Sequence, residues 1–190
     1  MAENIRRVRE RMVAAARRAG RRADEVVLVA VTKTVEPERI DEAVAAGLTV
    51  FGESKVQEAR AKIPLVSSRA HWHLVGHLQT NKAREAVTLF EMVHAVDSVK
   101  LAVELDRRAA DAGRTLPVLL EVNVSGEASK FGLKPEELEA ALEPINGLRR
   151  LELQGLITIP PFDENVESAR PYFRRLRELR DDAARRQGLA

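Results

Sequence analysis

Short runs of β-branched and aliphatic residues alternate six times with stretches that carry apolar residues at helical spacing. That alternation constrains the chain more than any other feature. Repeated strand–helix units bury both components only as a parallel sheet covered by helices. An opening segment, residues 3–19, places Ile5, Val8, Met12, Ala15 and Ala19 at helical spacing, and Gly20 stops it. Val26-Val27-Leu28-Val29-Ala30-Val31 is a continuous apolar run and reads as a strand buried on both faces. Pro37 then opens a helix that turns Ile40, Ala43 and Val44 inward and ends at Gly47.

Further strands are expected at 48–51, 72–75, 92–96, 117–124 and 151–159, followed by helices over about 55–62, 80–87, 98–112, 135–142 and 166–186. There is no linker, low-complexity stretch or break in composition, so residues 1–190 are expected to form a single domain. Two architectures satisfy the pattern, a doubly wound open sheet and a (β/α)8 barrel of TIM type. A barrel takes eight strands and typically ~250 residues, with ~200 at its lower range, so six units fall two short.

Bulk properties exclude several chemistries. The chain has no cysteine, which removes disulfides, thiol nucleophiles and thiolate zinc sites. A formal net charge of +2 gives no support to nucleic-acid binding without a clustered patch. The eight arginines among residues 6–22 read as the solvated face of the first helix. Apolar runs are strand-length, so no membrane span is expected. The N-terminus lacks the apolar core of a signal peptide. The expectation is a cytoplasmic monomer.

In both architectures ligands bind at the carboxyl ends of the strands. The residues there are Thr32-Lys33, Gly52-Glu53-Ser54, Gly76-His77, Asp97, Asn123 with Ser125, and Thr158 with Pro160. Lys33 follows Val29 and Val31 at period two, so all three share one face of the strand. A lysine facing a barrel interior is costly unless paired or used. Burial there would make it nucleophilic, which suits a Schiff base. The alternative is a solvated lysine at a strand end. His71 and His73 form an H-x-H pair that could bind zinc or iron, but at the start of a strand, where packing is the simpler role. His77 sits either in the site or in a loop or helix cap. Gly126–Gly132 is a polar loop with Lys130 as a second amine. Gly-rich phosphate loops of the Walker or dinucleotide kind are absent.

Five ordered segments resemble the pyridoxal 5′-phosphate (PLP) homeostasis protein family. They are Ala30-Val31-Thr32-Lys33, Phe51-Gly52-Glu53-Ser54-Lys55-Val56-Gln57-Glu58, the run from His73 to Lys82, the run from Asn123 to Gly132, and Gly155-Leu156-Ile157-Thr158-Ile159-Pro160. The resemblance covers essentially the whole chain. It implies a barrel like the N-terminal domain of alanine racemase, with PLP held as a Schiff base on Lys33. It implies Ser54, His77, Asn123 and Thr158 as further cofactor-binding residues and no metal. Members of the family have no established turnover and are thought to hold PLP and hand it on, with PLP-dependent apoenzymes as partners.

Two departures matter. The family usually has Asn where this chain has Ser54, so a contact near the cofactor is shortened. In the family the last helix is followed by a Ser-Met-Gly-Met-Ser-x-Asp segment and an Arg-x-Gly strand that carry most phosphate contacts, whereas this sequence closes at 187–190. The resemblance thus implies a barrel lacking its last two strands, with weaker PLP binding than a full-length relative. Three other functions compete. A PLP-dependent racemase needs an opposing acid–base group, and the chain has one tyrosine, Tyr172. A PLP-free Schiff-base aldolase usually carries its lysine on a later strand, and Leu151–Ile159 has none. The third is a cofactor-free scaffold.

Overall fold

A computed structural model describes residues 1–67 and 69–187. The chain runs α1 (Ala2–Arg18), β1 (Ala30–Val31), α2 (Pro37–Ala45), β2 (Val50–Glu53), α3 (Val56–Lys62), β3 (His71–Leu74), α4 (Ala83–Leu89), β4 (Met92–Val96), α5 (Val99–Asp111), β5 (Leu116–Glu121), α6 (Leu138–Asn146), β6 (Leu151–Ile157) and α7 (Arg170–Gln187). Local chemistry sets several of these limits. The Ser98 hydroxyl accepts from the Leu101 amide at 3.3 Å and caps α5. That helix buries Leu101, Ala102, Leu105 and Ala109, a single stripe at helical spacing. Pro37 occupies the first turn of α2, where its missing amide proton costs nothing.

The six strands form one parallel sheet in the order β1-β2-β3-β4-β5-β6. A doubly wound sheet reverses direction at a switch point. No reversal occurs here, so the winding is that of a (β/α) barrel and the open-sheet alternative falls. Register aligns Ala30 with Phe51 and Phe51 with Trp72 on one face. It aligns Val31 with Gly52 and Gly52 with His73 on the other. The first set looks outward into the core. Phe51, Trp72, Leu74, Val93, Val118 and Leu120 pack there with Ile40, Ala59, Val87, Leu105 and Leu142 of the helices. The Phe51 and Trp72 rings lie 5.6 Å apart. Each such side chain contributes about 1.5–3 kcal/mol by leaving water.

The first strand needs correction. A strand over Val26–Val31 buried on both faces is expected, but only Ala30 and Val31 pair, and Val26, Val27 and Val31 are exposed. β1 lies at the edge of the sheet and is bonded to β2 alone. A run of valines is buried on both faces only where a layer packs over each face, and Val27 and Val31 are left uncovered. The fifth strand is also shorter than 117–124. After Glu121 the chain folds back, with the Leu133 amide donating to the Glu121 carbonyl at 2.8 Å and the Asn123 amide to the Leu133 carbonyl at 2.9 Å. Among the described residues no helix is long and apolar enough to cross a membrane.

Candidate functional site

The carboxyl ends of the strands gather the polar residues. β1 ends in a turn closed by the Val35 amide donating to the Thr32 carbonyl at 3.0 Å. Lys33 is the second residue of that turn and Thr34 the third. Thr34 has φ of 62°, the left-handed value that a type II turn demands of its third residue. Gly or Asn normally takes that place, and a β-branched residue held there stores about 1–3 kcal/mol of strain. Lys33 is exposed, not buried as its period with Val29 and Val31 suggests. Val31, on the same face, is itself exposed, so that side of β1 has nothing to bury against.

Behind the turn lies a buried ionic cluster. Glu53 is fully buried, and its Oε1 accepts from the Thr32 hydroxyl and from Lys62 Nζ, each at 2.7 Å. Lys62, nearly buried at the end of α3, also donates to the Thr32 carbonyl at 2.7 Å. One residue after Glu53, half-buried Ser54 meets the next strand end at very close range. A Cβ on Gly76 would fall 2.4 Å from the Ser54 carbonyl oxygen, so only glycine lets these two chain segments touch.

At the other side of the mouth, His77 Nδ1 is 2.8 Å from Asp97 Oδ2. Its ring stacks on Phe131 with centroids 3.7 Å apart and planes within 9°. Phe131 is held there by the fold-back after β5. Gly132, at φ of 111°, lies where a Cβ would meet the Asn123 amide nitrogen at 2.9 Å. Asn123 shapes this loop rather than offering a free amide. Its Nδ2 donates to the Glu127 carbonyl, and its Oδ1 accepts from the Ser125 hydroxyl and the Gly126 amide. Asn123 and buried Thr158 line one pocket of about 160 Å³ with Glu121, Lys130 and Phe131. Lys130 is spoken for by Glu127 at 2.8 Å and the Ile159 carbonyl at 3.1 Å. Burial pushes the Glu121 carboxyl up, the nearby Asp97 carboxylate adds to this, and His77 opposes it.

The structure therefore places Lys33, Ser54, His77, Asn123 and Thr158 at the same end of the sheet. It joins Asn123 to Thr158 through one pocket and binds His77 to Asp97. The two histidines of the H-x-H pair turn to different partners. His71 pairs with Glu91 at 2.9 Å, and His73 Nδ1 meets His94 Nε2 at 2.9 Å. Among the described residues no group of three metal-ligating side chains assembles. Burial, with His73 adding to it, holds His94 down to about 4. His73 is also lowered, first by burial, with His71 lowering and Glu91 raising it.

Two residues, Glu121 and Lys62, escape a reading that looks only just past each apolar run, and that reading reaches a third, Glu53, without its role. Glu121 lies inside a strand, and a lone carboxylate on the alternate face of Leu116–Val122 is the signal. Glu53 falls two residues after Phe51, on the core face, where a carboxylate needs a partner. That partner, Lys62, closes the next helix.

Comparison with known proteins agrees with this geometry. The family model described as alanine racemase, N-terminal domain, matches residues 1–190. The pyridoxal phosphate homeostasis protein of Aquifex aeolicus is 42% identical over 189 residues, covering 99% of this chain and 83% of the relative. That of Pseudomonas aeruginosa is 43% identical over 180 residues, covering 94% and 78%. The structure of PipY from Synechococcus elongatus with PLP bound superposes with a TM-score of 0.80 at 35% identity, covering 86% of this chain and 77% of that one. Alanine racemase of Clostridium difficile shares the fold at a TM-score of 0.69 and 14% identity, over 87% of this chain and 44% of its own. With matches of this identity running almost end to end, the chain belongs to the pyridoxal phosphate homeostasis protein family, built on the alanine racemase N-terminal fold.

Proposed function

We propose that this protein holds PLP through Lys33 and serves intracellular PLP homeostasis without turning the cofactor over. One observation carries the reading: an exposed primary amine set in a strained turn at the ligand-binding end of a barrel sheet. Relatives named for PLP homeostasis, and PipY solved with PLP bound, support it. The donor set fits the cofactor. PLP supplies an aldehyde, which condenses with an amine and releases one water. Lys33 offers that amine. The Thr158 hydroxyl, in the pocket it shares with Asn123, and the stacked His77 ring offer a polar group and a flat surface for the remainder. Ser54 follows the end of the adjacent strand, β2. Asp97 fixes the orientation of the His77 ring.

The test is to add PLP, record the absorption spectrum, reduce with borohydride and locate the pyridoxyl group by peptide mass. A pyridoxyl group on Lys33, lost in Lys33→Ala, is the expected result. A folded protein with no adduct, or with the adduct elsewhere, overturns the assignment. For the absence of turnover, amino acids incubated with the loaded protein are expected to keep their optical purity. Measurable racemisation would overturn that part.

A further inference from the structure

We infer that Glu53 and Lys62 form a buried clamp that fixes the turn carrying Lys33, and so act as positioning residues for that amine. The inference rests on the reading of Lys33 as the PLP-bearing residue. It begins with how little else holds the turn. β1 contributes two residues of register to the sheet, and beyond them a single backbone bond, from the Thr32 amide to the Gly52 carbonyl at 2.9 Å, ties the strand end down. The next residues enter a turn whose third member, Thr34, sits in the left-handed region. A short edge strand feeding a strained turn relaxes unless something over-determines it.

The ionic cluster supplies that constraint. Lys62 Nζ bridges Glu53 Oε1 and the Thr32 carbonyl, at 2.7 Å each. The Thr32 hydroxyl reaches the same Glu53 oxygen at 2.7 Å. The Thr32 carbonyl thus accepts from both Lys62 and the Val35 amide that closes the turn. Its carbon is bonded to the Lys33 nitrogen, so pinning this oxygen pins the peptide from which the Lys33 side chain departs. Stability alone does not call for such a pair. Buried ion pairs are often replaced by apolar residues at no loss, and here Glu53 Oε2 is buried without a hydrogen-bond partner. What an apolar pair cannot do is hold a carbonyl oxygen at one point from two directions.

The experiment uses the full chain and the double variant Glu53→Leu/Lys62→Met, which removes the clamp without leaving a lone buried charge. Hydrogen exchange at the Val35 amide is expected to quicken about tenfold or more, because its bond closes the turn. The apparent affinity for PLP is expected to fall about tenfold while cooperative melting persists. Adding Thr34→Gly, which accepts the left-handed turn without strain, is expected to bring PLP affinity back to within about threefold of the unsubstituted protein. Exchange and PLP affinity both within about twofold of the unsubstituted protein, in a folded double variant, would overturn the clamp. So would a failure of Thr34→Gly to restore affinity, which would indicate general loss of packing. A missing pyridoxyl group on Lys33 in the unsubstituted protein would instead overturn the functional reading, and the Val35 exchange rate would still decide the clamp by itself.

Discussion

The two faces of the sheet are made by alternate residues of the same strands, yet they obey different rules. On the outer face Phe51, Leu74, Val93, Val118 and Leu120 are fully buried against helices. On the inner face the same strands present Val31, His73, His94 and Glu121, and Lys33 just beyond β1. All of that set but Val31 is titratable, and it runs from buried His94 and Glu121 to exposed Val31 and Lys33. The difference teaches that stability and chemistry are assigned by parity. Moving one residue along a strand mostly passes from a packed apolar position to one where charge is admitted, and Glu53 is the exception, a charge on the outer face held by Lys62.

The largest effect that would break this comparison is a core deletion. Leu120→Ala on the outer face is expected to cost about 2–5 kcal/mol in a denaturant titration, through lost burial and the cavity left behind. A cost below about 1 kcal/mol would mean that the outer face is not where the fold is held.

Next comes the pH response of the inner face. His94 is held down to about 4 from an ordinary 6.5, because burial disfavours its charged form. The unfolded chain therefore takes up a proton at a pH where the folded one does not. The stabilisation is full above pH 6.5 and is lost as pH falls towards 4. A shift of that size corresponds to about 3 kcal/mol. His94→Gln is expected to flatten the melting temperature across that window, and an unaltered pH profile would show that His94 is not the group responsible.

Glu121→Gln sharpens the comparison further. The buried carboxyl is pushed up, so ionising it costs more folded than unfolded, and the penalty grows as pH rises above the ordinary carboxylate range. The glutamine variant is expected to melt higher at pH 7 and to match the unsubstituted protein near pH 3. Equal melting at both values would remove Glu121 from the titrating set.

The smallest effect is predicted at the rim. Val31→Ala on the exposed inner side of β1 is expected to change stability by no more than about 0.5 kcal/mol. A larger loss would mean that this valine is covered in solution.

Much of the fold was legible before any coordinates. Every strand and helix is announced by its periodicity, because packing one apolar face dictates spacing within a segment. The sequential order of the strands was not legible, since both barrel and open sheet use the same local units. Lys33 stood out through its position at a strand end and the segments around it, but its exposure depends on what lies beyond β1, which no local pattern records. Asn123 was legible as a residue at the mouth and not as the organiser of its own loop. The Glu53–Lys62 pair was hardest. It joins a strand to a helix end across the core boundary, and although Glu53 stands at a strand end, nothing local marks Lys62 as its partner.

The sequential strand order also bears on how the molecule is made. Among the described residues each strand after β1 pairs with the one immediately before it in the chain, so these pairings need no distant partner. Parallel sheets are ordinarily slow to assemble because their pairings close long loops. Here every closure spans a single strand–helix unit. A growing chain can add these units one at a time as it leaves the ribosome, each docking on a surface already formed.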